Sequence, residues 1–197
     1  MNSSLLIEII YKSAAALWLL PPFRQYGGKY FYFFLLLGLC ELFSHFWTFL
    51  LGFSCPIICF NYFCLGFLLS LMNIESIKKF KYPIAAGVFI ITIPSIFSLD
   101  VRFDIGVLVI INLVIFLIFL KQFAWEYAET DKLNFGLALL ILLQLTTIAK
   151  FVNVIILFFQ AAAYYIITSF FQEIIALFFV FFKVEDPRLK IKFKSDL

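Results

Sequence analysis

Six side chains in this sequence could handle protons or ions from within apolar surroundings: Glu8, Lys12, Glu41, His45, Lys150 and Glu173. Glu8 and Lys12 are spaced i, i+4 with the acid nearer the N-terminus, the favourable order for an ion pair on a helix. That spacing predicts mutual neutralisation. Glu41 and His45 repeat the spacing within LLLGLCELFSHF. A carboxylate and an imidazole one turn apart can share a proton, since imidazole titrates near neutrality. They can equally act as a polar clasp between helices. Lys150 follows Gln144, Thr146 and Thr147 and precedes Asn153, while Glu173 follows Gln172 and Asn112 sits within another apolar run. Groups of this kind are expensive to hold in hydrocarbon, so their presence marks candidate sites.

Other chemistries find no support. The cysteines are Cys40, Cys55, Cys59 and Cys64, and the chain has one histidine. A structural zinc needs about four ligands, so the cysteines read as small apolar residues of helices. There is no H-E-x-x-H, G-x-S-x-G, Walker A or C-x-x-C-H motif. The last apolar run has no central lysine for a retinal Schiff base. No catalytic residue, metal site or cofactor is expected, and the protein is not expected to be an enzyme.

The elements that must position these groups follow from composition. Of 197 residues, 64% are hydrophobic and 14% charged, against about 25% charged in soluble domains. Mean hydropathy is +1.07. Such a chain has more apolar surface than a soluble globule can bury. This excludes a soluble enzyme, a nucleic-acid binder and a disordered chain. It predicts an all-α polytopic membrane protein.

The apolar runs are 5–22, 30–52, 57–73, 83–99, 105–120, one from 135 to a break between Asn153 and Gln160, and 161–182. The first shows no signal-peptide features and is expected to remain as a span. Arg24, Lys29, Lys78, Lys79, Lys81, Lys121, Lys132, Lys183, Arg188, Lys190, Lys192 and Lys194 would then share one side, with only Arg102 on the other. Lysine and arginine are retained on the cytoplasmic side. The partition predicts seven transmembrane helices over residues 1–183, N-terminus outside, with a basic cytoplasmic tail over 184–197. Glu8, Lys12, His45, Lys150, Asn153 and Gln160 would lie in the outer half, with Glu41 and Glu173 as the floor of a pocket. In the tail, Arg188, Lys190, Lys192 and Lys194 alternate with apolar residues. Period two suits a strand, which could pair with a partner's sheet edge or lie on the inner leaflet.

The stretches LLLGLCELFSHF, FNYFCLGFLLSL and RFDIGVLVIINLVIFLIFLKQ, with the short tail, resemble small seven-helix inner-membrane proteins of AT-rich bacteria. Some of those are similar to the membrane sensor modules of histidine kinases. The 29 phenylalanines and the excess of lysine over arginine fit the same source. The resemblance implies a bacterial inner-membrane address and a topology. It also implies a carboxylate in the third span, where this chain has Gly66.

Two functions are compatible with these features. The first is an accessory or structural subunit of a larger membrane complex, its partners being the bilayer and other membrane subunits. The second is a sensor or small-solute binder or transporter using an outward-facing polar pocket. No nucleic-acid partner is expected. The basic-residue partition gives a direct prediction: a reporter fused after Leu197 is active only if it folds in the cytoplasm. A fusion active only in the periplasm would contradict the seven-span topology.

Overall fold

The computed structural model describes residues 12–96, 101–156 and 161–192. Apart from one short ribbon, the described chain is helical. It comprises α1 (12–18), α2 (Pro21–Gln25), α3 (Phe31–Leu51), α4 (Ile57–Ser70), α5 (Ile74–Lys79), α6 (Lys81–Ile96), α7 (Val101–Thr130), β1 (Lys132–Asn134), α8 (Phe135–Ile156), α9 (Ala161–Phe181), a 3-10 turn (Pro187–Leu189) and β2 (Lys190–Lys192). Among the described residues, three helices are long and apolar enough to cross a membrane: α3, α7 and α8. Glu8, Gln160 and Lys194 lie outside the described residues.

Local chemistry sets the boundaries. Pro21 and Pro22 open α2, where a missing N–H costs nothing. Gly52, at φ 73°, ends α3 in the left-handed region and returns its N–H to the carbonyl of Thr48. Asn134 caps α8, its Oδ1 accepting the N–H of Leu137 at 3.2 Å. One expectation needs correction. The apolar run 105–120 belongs to a 30-residue helix that continues to Thr130. Hydropathy stops at Leu120, but Lys121, Gln122, Ala124 and Glu126 are good helix formers, and the helix ends only where Asp131 turns to φ 52°.

The helices close a ring. α2 packs on α3, α3 on α4, α4 on α7, α7 on α8, α8 on α9 and α9 back on α2, while α6 lies outside against α4 and α7. The core includes Phe33, Phe34, Ile115, Phe119, Leu140 and Phe179, all fully buried. Phe33 meets Phe119 edge to face at 5.3 Å, and Phe34 lies 4.9 Å from Phe179, geometries that suit the ring quadrupoles. The outer wall is apolar: Phe49, Phe89, Ile110, Ile156 and Ile167 are all exposed.

Glycine permits two close approaches. A Cβ at Gly38 would lie 2.7 Å from the carbonyl oxygen of Trp18, and one at Gly136 equally close to that of Val184. The first brings α1 onto α3; the second seats the segment after α9 on the start of α8. Polar ties close the same end. Gln25 donates through Nε2 to the carbonyl of Phe182 at 2.9 Å and accepts the N–H of Val184 at 3.2 Å. Arg24 donates to the carbonyl of Phe181. These bonds satisfy carbonyls that the last turn of α9 leaves without helical partners.

The segment after α9 runs back onto the body, where Val184 and Leu189 are buried. β2 pairs antiparallel with β1, Leu133 opposite Ile191. One edge of the strand at Lys190–Lys192 is therefore paired with this chain's own backbone. Lys190 forms an ion pair with Glu126 of α7, and Arg188 one with Asp186. Hydrogen bonds from Arg188 hold the Asp186 carboxyl down at about 2.

Gly38→Val should lower the thermal midpoint in detergent, since overpacking of a tight contact costs about 1–3 kcal/mol. Gly87→Ala, where an added Cβ meets nothing within 4 Å, should leave it unchanged or raised. Equal midpoints for the two variants would show that the α1–α3 contact is not tight.

Candidate functional site

Most of the candidate residues belong to helices that face one another. A cavity of about 300 Å³ lies between α1, α3, α4, α7, α8 and α9. One part of its wall is apolar, built by residues such as Trp18, Phe60, Phe67 and Leu108. Its polar lining includes Glu41, Asn112, Gln144, Thr147, Lys150 and Gln172. Glu41 is ten residues beyond Phe31, about 15 Å along α3 at helical rise. Lys150 is fifteen residues beyond Phe135 on α8, about 22 Å along it. Both therefore sit well inside their helices.

The charges converge on Glu41. Lys150, His45 and Glu173 all act electrostatically on its carboxylate. They come from α8, α3 and α9, so the bundle brings together groups more than a hundred residues apart. Lys150 Nζ also donates to Ser169 Oγ of α9 at 3.1 Å. The side-chain hydroxyl of Ser13 on α1 donates to Glu173 Oε1 at 3.2 Å. His45 lies one turn from Glu41 on the same helix and also contacts its backbone. Its Nδ1 lies 2.9 Å from the backbone carbonyl of Glu41. A carbonyl only accepts, so Nδ1 carries the hydrogen. The imidazole is thereby oriented by its own helix rather than by the carboxylate of Glu41.

The amides around the charges are mostly committed to the protein. Gln172 Nε2 donates to Thr147 Oγ1 at 2.9 Å, and Thr147 donates in turn to the carbonyl of Leu143. Asn112 Nδ2 donates to the carbonyl of Leu108 at 2.8 Å and to Cys64 Sγ at 3.4 Å. Gln144 differs. It is 4% exposed, lines the cavity, and its Oε1 has no hydrogen-bond partner. Buried polar atoms are almost always satisfied, so this oxygen is available to a guest N–H or a water. The cavity thus offers an anion, a cation and an unfilled acceptor set in an apolar wall. A binding site for a small molecule has this composition.

The remaining candidates lie elsewhere. Lys12 is exposed at the start of the described part of α1. Arg188, Lys190 and Lys192 belong to the 3-10 turn and ribbon outside the cavity. Cys64 and Ser44 line the cavity although neither stands out in the sequence. Asn61, fully buried on α4, donates to the backbone carbonyl of Asp104 on α7; an asparagine within FNYFCLGF was the signal for it. Among the described residues no group of histidine, cysteine, aspartate or glutamate is arranged to hold a metal ion.

Comparison of the chain with family models, curated proteins and solved structures gave no match.

The convergence on Glu41 predicts an asymmetry between two substitutions on α3. Glu41→Leu removes the carboxylate that acts on the Lys150 ammonium across the cavity and should lower the thermal midpoint. Phe43→Leu should cost less than half as much. Abundance in the membrane fraction and the thermal midpoint would report both. Wild-type abundance and midpoint for Glu41→Leu would remove Glu41 from any structural or binding role.

Proposed function

We propose that this chain is a seven-helix bacterial inner-membrane protein, N-terminus outside and C-terminus cytoplasmic, that binds a small polar solute in the cavity between α3, α8 and α9. It serves as a sensor or transporter for that solute and is not an enzyme. The observation that carries the reading is the composition of the cavity wall. Glu41, Lys150 and the unpartnered Gln144 Oε1 face one space large enough for a small molecule. A scaffold subunit needs no such space. Well-packed interiors leave few voids larger than a water.

The chemistry of the wall favours a solute carrying both charges, or a neutral polar one with an N–H. Glu41 meets an ammonium, Lys150 a carboxylate, and Gln144 Oε1 a remaining donor, while Trp18 and Phe60 pack the apolar part. A strongly charged solute of one sign would leave Glu41 or Lys150 unanswered in an apolar interior, which is costly. The apolar outer wall and the basic residues at one end of the bundle support the membrane placement.

Purified protein should be screened by thermal shift against amino acids, small amines and small carboxylates. A true ligand at a hundred times its Kd stabilises by about 2.7 kcal/mol, and zwitterions should lead the ranking. Gln144→Leu should weaken that ligand at least tenfold while leaving the unliganded midpoint within a few degrees. No shift from any small solute, together with a stoichiometric partner retained after mild solubilisation, would establish the accessory-subunit role instead.

A further inference from the structure

A second space, unrelated to the polar cavity, opens on the outside of the ring. α6 stands away from α4 and α7, leaving an apolar cleft of about 550 Å³ lined by residues that include Leu68, Phe80, Pro83, Gly87, Ile110 and Val114. No charged side chain lines it. At one end of the cleft the chain carries Lys78 and Lys79 on α5 and Lys81 at the start of α6, all exposed, against the single acid Glu75. Two of these ammonium groups are held beside aromatic rings. Lys79 Nζ lies 5.7 Å from the ring of Phe80, itself a lining residue, and Lys81 Nζ lies 4.9 Å from that of Tyr82. Toward the other end of α6, Tyr62 and Thr92 share a hydrogen bond of 2.6 Å that ties α4 to α6.

We infer that this cleft is the seat of an anionic phospholipid, its headgroup on Lys78, Lys79 and Lys81 and an acyl chain running between α6 and the α4–α7 pair. The fit is chemical. An apolar slot with lysines beyond one end, one of them beside its lining residue Phe80, matches an amphiphile with one negative end. Basic clusters at the cytoplasmic ends of membrane helices recruit acidic lipid headgroups, and phosphate oxygens accept bonds from lysine as a point charge. A partner helix would match the apolar slot but not the lysines, and a soluble anion would match the lysines but not the slot. The inference rests on the membrane placement proposed above and is independent of the solute site.

The test uses the full chain in nanodiscs of phosphatidylglycerol mixed with phosphatidylcholine, followed by mild extraction and native mass spectrometry. The wild-type protein should retain phosphatidylglycerol in roughly tenfold preference, falling at high salt as screened charge requires. Lys78→Gln/Lys79→Gln/Lys81→Gln should abolish the preference while a lipid of either headgroup is still retained. Gly87→Trp projects into the cleft, where an added Cβ meets nothing within 4 Å. It should lose the retained lipid without lowering the thermal midpoint. Equal retention of the two lipids by wild type would overturn the proposal. So would undiminished phosphatidylglycerol on Gly87→Trp, or a dimer formed through this face. A chain that does not enter bilayers at all would instead overturn the membrane placement, which the reconstitution step reports separately.

Discussion

A carboxylate and an ammonium inside apolar helices are tolerable only when they answer one another. Glu41 on α3 and Lys150 on α8 impose that condition on the bundle. Away from water and from opposite charge, either group would carry a desolvation cost. Together they require α3 and α8 to present these faces to a common interior, although neither helix is the other's nearest partner in the ring. The space between them remains open and polar-lined rather than filled by side chains. Ser169, Ser13, Thr147 and Gln172 extend the same logic, since each hydroxyl or amide finds its partner on a neighbouring helix or on its own backbone. The polar interior is a consequence of burying charge, and the site is a consequence of the polar interior.

The rest of the fold holds that ring closed. Gln25 and Arg24 tie α2 to the end of α9, Gly38 lets α1 lie against α3, and Gly136 lets the segment after α9 return onto α8. These contacts are all at the same end of the bundle, where the paired phenylalanines also pack. The cavity begins beyond this dry layer.

Much of this was legible in the sequence, and for identifiable reasons. Glu41, Lys150 and Glu173 stand out because a charge within an apolar run has no cheap explanation. The end of α3 at Gly52 and the start of α8 at Phe135 follow from residue chemistry that acts locally. The C-terminal part of α7 was hidden because hydropathy and helix propensity part company after Leu120. The partner of the strand at Lys190–Lys192 was hidden because Lys132–Asn134 is too short to carry an alternating pattern. Gln25 carries no signal in the sequence, and its capping of α9 depends on a contact more than 150 residues away. The bond from His45 to the Glu41 carbonyl was not legible, because spacing fixes the face of a helix but not which acceptor a ring nitrogen meets.

The claim that Glu41 and Lys150 face each other as a compensating pair is tested most directly by a double-mutant cycle on thermal stability in detergent. The variants are Glu41→Gln, Lys150→Met and the combination. Each single change strands a charge or a polar group and should destabilise the protein clearly. The double change removes both charges, so its cost should fall short of the sum by about 1–3 kcal/mol, the range found for residues in contact. Additive costs, within about 0.5 kcal/mol, would mean that the two groups do not sense each other and that the cavity is not organised around their charge.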